Sequence, residues 1–185
     1  MATTKKKRND SVIHMLVAMV VLFIPVILVT QVFTRDPEPP IKALDWQPVA
    51  ARAAAEASYE VLAPTNLPEG WVATRARFTG IGKPLLGGDP APGDTFQLGF
   101  LSPERRYFAL DQRDVAPEPF VTAVTRQGRP DGESDVGGQP WVRYVSEDGR
   151  TRSLVVQGED VATVVSGDLP YEALEAFATT LEPVA

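Results

Sequence analysis

The sequence predicts an α+β fold in which one N-terminal transmembrane helix precedes an extracytoplasmic antiparallel β-sheet domain with helices packed on one face. Three observations lead to this prediction. Residues 11–33 form an apolar run without Asp, Glu, Lys or Arg. Six later segments have the composition or the two-residue alternation of β-strands. Apolar residues also recur at helical spacing at both ends of the domain.

The apolar run 11–33 is long enough to be a membrane anchor. A helix of that length measures roughly 35 Å, and a hydrocarbon core is about 30 Å thick. The basic cluster 5–8 comes before the run, so the positive-inside rule places the N-terminus in the cytoplasm. A cleaved signal peptide is the alternative, but no A-x-A-like site follows the run, which is also longer than the usual apolar core of roughly 7–15 residues.

The domain organisation follows from this anchor. The chain is predicted to consist of a basic cytoplasmic tail (1–10), the transmembrane helix (11–33), a Pro-rich linker (34–44) and an extracytoplasmic α+β domain (45–185). Three prolines make the linker a stiff, extended spacer. We therefore expect a single-pass protein of the plasma membrane that contacts the lipid bilayer through residues 11–33.

Three helices are predicted in the domain. The first ends near residue 58, with Asp45 as its N-cap, Pro48 in its first turn and an alanine-rich side that suits close packing on a sheet. A short helix is predicted over residues 117–125. Asp168 is the predicted cap of the last helix, in which apolar residues recur at positions 174, 177, 178 and 181.

Six strands are predicted between residues 71 and 166. They are rich in β-branched and aromatic side chains or alternate polar with apolar residues, and they cover residues 71–79, 95–101, 106–112, 141–146, 152–157 and 161–166. Residues 80–94 and 127–139 are predicted loops. The second loop holds Asp131, Glu133 and Asp135, which lack the spacing of a calcium loop and are predicted to be solvated.

The composition excludes several classes of function. The chain has no Cys, and its single His, His14, lies in the apolar run, so the domain has no thiol nucleophile and no Ser-His-Asp triad. The net charge is −6 although residues 1–35 hold five basic groups against one acid, and so acidic a domain is a poor match for nucleic acid. We predict no enzyme activity, no catalytic, cofactor-binding or metal-binding residues, no cofactor and no nucleic-acid partner.

Three tryptophans, Trp46, Trp71 and Trp141, are the candidate binding residues. Each of them begins a predicted element. Packing in the core or at its edge is the commoner role of such rings. If the three rings met around one groove, they would form a surface that binds a ligand.

Short motifs across the chain carry a resemblance to a known family. They are Asp45-Trp46-x-Pro48, Tyr59 with Leu62-Ala63-Pro64, Leu67-Pro68-x-Gly70-Trp71, Phe96 with Leu98-Gly99-Phe100, and Arg106-Tyr107-x-x-Leu110-x-Gln112. With the apolar run, they resemble an actinobacterial family of single-pass membrane proteins catalogued as a domain of unknown function (DUF4245). The resemblance implies a cell-envelope location and brings no activity or catalytic residues. The order of the elements is also similar to the C-terminal sensor domains of some anti-sigma-factor regulators.

Two hypotheses of function remain from the sequence. The first is a non-catalytic interaction module that binds an envelope protein, a lipid or a cell-wall component. The second is a tethered hydrolase that uses carboxylates alone to act on an envelope substrate. Two acids converging in a concave pocket would favour the hydrolase, and a flat or grooved apolar surface with dispersed acids would favour the module.

Overall fold

The computed structural model describes residues 7–33 and 42–184, and within the first range it describes the side chains of residues 12–26 and 28. The chain divides into two compact units, Met1–Pro40 and Ile41–Ala185. Residues 1–6 of the predicted tail and residues 34–41 of the predicted linker lie outside the described residues.

The first unit contains helix α1, Lys7–Phe33, which begins within the predicted tail. Its large apolar side chains between Val12 and Leu28 are exposed. Among the described residues, no helical segment has the length and the apolar character that spanning a membrane requires. The helix is therefore confirmed, but the described residues do not support its prediction as a transmembrane helix.

The second unit confirms the predicted α+β class and the antiparallel sheet. Its described residues form nine strands, which are β1 Leu62–Pro64, β2 Val72–Thr79, β3 Thr95–Leu101, β4 Tyr107–Arg113, β5 Arg129–Val136, β6 Gln139–Val145, β7 Arg152–Gln157, β8 Ala162–Gly167 and β9 Leu181–Pro183. Seven of them form one sheet in the order β2-β3-β4-β8-β7-β6-β5, and β1 pairs with β9. All six predicted strands are present.

Helices lie on both faces of the sheet. They are α2 Gln47–Glu56, α3 Pro117–Val124 and α4 Tyr171–Ala178. On β8, Val165 belongs to the apolar cluster that contains α2 and α4, whereas its neighbour Val164 belongs to the cluster that contains α3. Successive strand residues point to opposite faces, so α3 packs against the other side of the sheet and the helices do not all share one face. We call the side of Val165 the inner face and the side of Val164 the outer face.

The inner face is an aromatic core that α4 closes. The ring of Phe177 lies 5.8 Å from that of Trp71, 6.0 Å from that of Phe100 and 5.2 Å from that of Phe108. Leu174 is fully buried on the same side of α4. The apolar side predicted for the last helix is therefore confirmed, and burying it fixes α4 on the sheet.

Both predicted helix caps were wrong. The N-cap of α2 is Trp46, whose carbonyl accepts the first hydrogen bond of the helix, although Pro48 lies in the first turn as predicted. The N-cap of α4 is Pro170. Asp168 instead accepts a hydrogen bond from the hydroxyl of Thr151 at 2.6 Å. The carboxylate therefore joins two distant parts of the chain and does not cap a helix.

Most of the predicted loop 127–139 is the edge strand β5, which corrects that prediction. Gly137 and Gly138 have φ values of 62° and 85° and make the tight turn that folds β5 back onto β6. Ser134 Oγ donates a hydrogen bond to Glu175 Oε1 of α4 at 2.5 Å. The segment has little β-propensity, and it forms a strand because it pairs with β6 and is hydrogen-bonded to α4. The three acidic side chains of the segment are exposed.

The last helix ends earlier than the sequence predicts. It stops at Ala178, and Leu181 lies in β9 instead of on the helix. Leu181 pairs with Pro64 of β1 across a separation of more than a hundred residues. Such long-range pairing has no local signal in the sequence.

Replacing Phe177 by Ala should destabilise the fold strongly. The substitution removes a ring that contacts three other aromatic rings, and we expect a loss of about 3–5 kcal/mol in the free energy of unfolding. Urea-induced unfolding of the full-length chain, followed by circular dichroism, measures the change. Leu86→Ala is the control, since Leu86 is 83% exposed and its loss should change stability by less than about 0.5 kcal/mol. Equal effects of the two substitutions would contradict the assignment of α4 as the element that closes the core.

Candidate functional site

A cleft of about 550 Å³ opens on the outer face of the sheet, beside helix α3. Strands β2, β3, β4 and β8 supply its floor, and the β3–β4 turn and the end of α3 supply its rim. Four arginines and two aspartates provide its charges, namely Arg75, Arg105, Arg106, Arg126, Asp111 and Asp168. Gln97, Tyr107, Thr151 and Ser166 add polar groups, and Ala109, Ala123, Val124 and Gly167 complete the lining.

The floor of the cleft is a buried carboxylate held by two side chains. Asp111 on β4 has a side chain only 5% exposed, and its Oδ1 lies 2.9 Å from a terminal nitrogen of Arg75 on β2. Gln97 on β3 donates a second hydrogen bond to the same oxygen at 2.7 Å. Arg75 Nε is buried and has no hydrogen-bond partner among the described residues. The ion pair therefore satisfies the carboxylate while leaving part of the guanidinium unpaired.

Burial controls the protonation of this carboxylate. Removal from water raises the pKa of Asp111, while the charge of Arg75 and the hydrogen bonds from Gln97 and Arg75 lower it by less. Desolvation dominates, so the carboxyl is easier to protonate in the folded protein than in the unfolded chain. Tyr107 is the neighbouring ionisable group, and burial raises the pKa of its phenol too.

Two glycines make room for Tyr107 at the mouth of the cleft. A Cβ atom at Gly99 would collide with the Tyr107 hydroxyl, and one at Gly167 would lie 2.6 Å from the Tyr107 carbonyl oxygen. The tyrosine ring therefore lies across β3 and remains 42% exposed. Its hydroxyl is part of the polar lining that a ligand would meet.

Two rim arginines occupy an uncommon backbone conformation. Arg105 and Arg126 have φ values of 59° and 57°, in the left-handed region that residues other than glycine seldom adopt. Arg105 lies in the turn between β3 and β4, and Arg126 follows the end of α3. Such conformations are often found at functional sites, where the surrounding structure holds them in place.

The cleft is not the apolar surface that was expected of a binding module, since charged and polar residues make up most of its lining. Asp111 and Asp168 are two acids in one concave site, as the hydrolase hypothesis requires. Asp111 is nevertheless paired with Arg75 and Gln97, and Asp168 accepts a hydrogen bond from Thr151. Among the described residues, no group of three or more His, Cys, Asp or Glu could hold a metal ion.

The three candidate tryptophans lie on the inner face, away from this cleft. Trp46 packs edge-on against Phe100 at 5.7 Å, and Trp71 lies 4.8 Å from Phe108. Trp141 is only 4% exposed. All three belong to one apolar cluster, which is the packing role that the sequence left open beside binding. Their role in ligand binding stays a prediction.

The cleft arginines were missed by sequence reasoning. They lie on β2, on a hairpin turn and after α3, and no short window of the sequence contains all of them. One usable signal was the polar alternation of β2, which puts Arg75 on the face opposite its apolar residues. The β2–β3 register then sets Arg75 across from Gly99, beside the cleft floor.

Comparisons with known proteins add a family but no activity. The model of the family described as "Protein of unknown function (DUF4245)" matches residues 7–181. No curated protein matches the chain. The solved structure described as "Crystal structure of MucB in complex with MucA(peri)" is 18% identical, with a TM-score of 0.38, and the match covers 67% of this chain and 36% of that one. So weak a likeness carries nothing over to this chain.

The pH dependence of the free energy of unfolding should reveal the raised pKa of Asp111. When the pH rises above 3.8, the ordinary pKa of an Asp carboxyl, Asp111 loses its proton in the unfolded chain. In the folded protein, Asp111 keeps that proton until the pH passes its higher pKa. The stability that Asp111 adds relative to Asp111→Asn is therefore complete below pH 3.8 and falls as the pH rises through the folded-state pKa. Urea unfolding of both proteins between about pH 3 and pH 7 measures this difference.

Glu175→Gln is the control of opposite sign. Hydrogen bonds from Ser134 and Arg143 hold the pKa of Glu175 below its ordinary value of 4.5, so its contribution is present above that value and is lost as the pH falls through the folded-state pKa. If the stability contributions of Asp111 and Glu175 changed in the same direction with pH, the raised pKa of Asp111 would be contradicted.

Proposed function

We propose that this chain, which belongs to the DUF4245 family of proteins of unknown function, is a membrane-anchored extracytoplasmic binding module that acts without catalysis. Its binding site would be the arginine-lined cleft on the outer face of the sheet. The partner would be an envelope protein, a lipid or a cell-wall component. The actinobacterial origin and the plasma-membrane location implied by the sequence resemblance are part of this proposal.

One observation carries the binding role, namely four arginines around one cleft of a chain whose net charge is −6. The arginines come from three separate places in the chain, namely β2, the β3–β4 turn and the segment after α3, so folding concentrates them in one place. On the floor of the cleft, Arg75 forms an ion pair with the carboxylate of Asp111. A cleft lined by several arginines attracts negatively charged ligands, and its volume lies within the range of small-molecule sites.

The proposal of an anchor rests on the composition of the run 11–33 and on the exposure of its apolar side chains. Consecutive apolar residues from Met19 to Ile24 point to every side of a helix, and those side chains are exposed. The run 11–33 contains no charged residue and follows a basic cluster. A helix that is apolar all around needs apolar surroundings, and the bilayer supplies them. The same charges favour a cytoplasmic N-terminus.

The absence of catalysis is supported by the chemistry of the residues. The single His lies in the apolar run, and there is no Cys, so the domain has no His to act as a general base and no thiol nucleophile. The buried carboxylate of Asp111 already accepts hydrogen bonds from Arg75 and Gln97 through one of its oxygens.

The hydrolase remains the second candidate because of one observation. Asp111 and Asp168 both line the cleft, and the raised pKa of Asp111 is the property that a general acid needs. A hydrolase would lose turnover of its envelope substrate in both Asp111→Asn and Asp168→Asn. A binding module would retain its ligand in Asp168→Asn and turn nothing over in any form.

The orientation of the anchor can be measured with a reporter. A fusion after Ala185 should be active only outside the cytoplasm, because the basic cluster 5–8 holds the N-terminus inside. The protein should also resist extraction from membranes by alkaline carbonate. Replacing Lys5, Lys6, Lys7 and Arg8 together by Gln is the control and should weaken the orientation. A fusion active in the cytoplasm would refute the topology.

Crosslinking in cells can test the cleft as the binding site. Tyr107→p-benzoylphenylalanine places a photoreactive ring in the cleft lining, and we expect a discrete adduct after irradiation. Leu86→p-benzoylphenylalanine is the control, since Leu86 is exposed and does not line the cleft. The adduct at position 107 should weaken when Arg106→Gln and Arg126→Gln are added. Identical adducts at both positions would refute the cleft as the site.

A further inference from the structure

One edge of the large sheet has no neighbouring strand among the described residues. Strand β2 is the first strand in the sheet order and pairs with β3 alone. An edge strand directs the N–H and C=O groups of every second residue away from the sheet, and these groups can pair with another extended chain. The backbone of β2 can therefore accept one more strand.

This edge already accepts one backbone hydrogen bond from outside the sheet. The amide of Leu44 donates a hydrogen bond to the carbonyl oxygen of Ala73, near the start of β2, at 2.9 Å. The Ala73 carbonyl therefore points away from β3, to the side where an added strand would lie. Along the rest of β2, no described residue outside β3 forms a backbone hydrogen bond with the strand.

A groove of about 410 Å³ lies between this edge and helix α2. It is lined by four apolar residues and two arginines, namely Pro48, Val49, Ala76, Phe78, Arg52 and Arg77. None of these residues lines the cleft on the outer face of the sheet. The groove is therefore a surface separate from the proposed binding cleft.

The two arginines of the groove differ in their partners. Arg52 forms an ion pair with Glu56 on α2 at 2.9 Å. Arg77 forms no hydrogen bond or ion pair with a described residue, and the neutral side chain of Gln97 lies opposite it on β3. No Asp or Glu is among the residues that line the groove. An acidic side chain placed beside Arg77 would therefore form an ion pair without breaking another.

Alternation along β2 separates the apolar groove from this charge. Ala76 and Phe78 pack against the inner core, whereas Arg77 lies between them in the chain and takes the outer face together with Gln97. A strand added to β2 would alternate in the same way. Its inner residues would lie in the groove against α2, and its outer residues would lie beside Arg77.

From the open edge, the apolar groove and the unpaired charge, we propose that β2 binds an extended peptide segment of a partner protein in which apolar and acidic residues alternate. Pairing with the backbone of β2 supplies affinity, and the alternate side chains supply specificity. The same charge disfavours pairing between the β2 edges of two copies of this chain, because like charges would then lie close together. This inference goes beyond the proposed function and does not depend on it.

Fluorescence anisotropy with the full-length protein in a non-ionic detergent tests the inference. The probe is a fluorescein-labelled peptide of nine residues in which Val and Glu alternate, and we expect it to bind saturably. A peptide of the same composition with its Val and Glu residues in two blocks should bind about tenfold more weakly, because it cannot place apolar residues on one face and acids on the other. A peptide that alternates Val with Lys should also bind more weakly, since its Lys residues would lie beside Arg77.

Charge reversal at Arg77 tests the position of the peptide. Arg77→Glu should weaken binding of the Val–Glu peptide about tenfold and strengthen binding of the Val–Lys peptide, because it replaces attraction by repulsion and the reverse. Arg129→Glu is the matched control, since Arg129 is exposed on β5 at the opposite edge of the sheet, and it should leave both affinities unchanged. Circular dichroism verifies that both variants keep the fold.

Several results would overturn the inference. They are the absence of binding of the Val–Glu peptide, equal binding of the alternating and block peptides by the wild type, and equal effects of Arg77→Glu and Arg129→Glu. Self-association in sedimentation velocity without peptide binding would overturn it in favour of a second copy of this chain. The crosslink at position 107 reports on the cleft alone, so its persistence without peptide binding would leave the proposed function in place.

Discussion

Strand β4 imposes the constraint on which the rest of the domain depends. It lies inside the sheet between β3 and β8 and is buried along most of its length. Its residues alternate, so Leu110 enters the inner core while Asp111 is buried on the outer face. A buried carboxylate is costly unless it is paired, and Arg75 and Gln97 on the adjacent strands supply the partners. The polar floor of the cleft follows from this requirement.

The two faces of the sheet consequently serve different purposes. The inner face stabilises the fold through aromatic packing under α2 and α4. Gln112, a polar residue on this face, also has a structural role, since its side chain accepts a hydrogen bond from the Leu62 amide and donates one to Thr163. Those contacts tie β1 to the sheet. The outer face is covered by α3 on one part and open on another, and the open part contains the arginines.

This division bears on the proposed function because the residues that stabilise the fold and the residues of the proposed binding site lie on different faces. The tryptophans that the sequence marked as possible ligand contacts belong to the stabilising face. The cleft uses Arg106 and Arg126, whose side chains are exposed and contribute little to the core. A surface built from such residues can change its ligand without changing the fold, which is consistent with a binding module on a stable sheet.

The sequence by itself determined the α+β class, the six strands from 71 to 166, the apolar side of the last helix and helix α1, because each depends on the spacing of neighbouring residues. It did not reveal β5 or β9, whose backbones gain their pairing partners only from the folded sheet.

The cleft was decided by the tertiary structure alone. Arg75, Arg106 and Arg126 lie far apart in the chain, and each looks like an ordinary surface charge in its own segment. Strand register and the position of α3 bring them together around Asp111. Local periodicity indicates which face of a strand a residue occupies. Only the long-range pairing of strands determines which residues share that face, and the proposed binding site depends on this pairing.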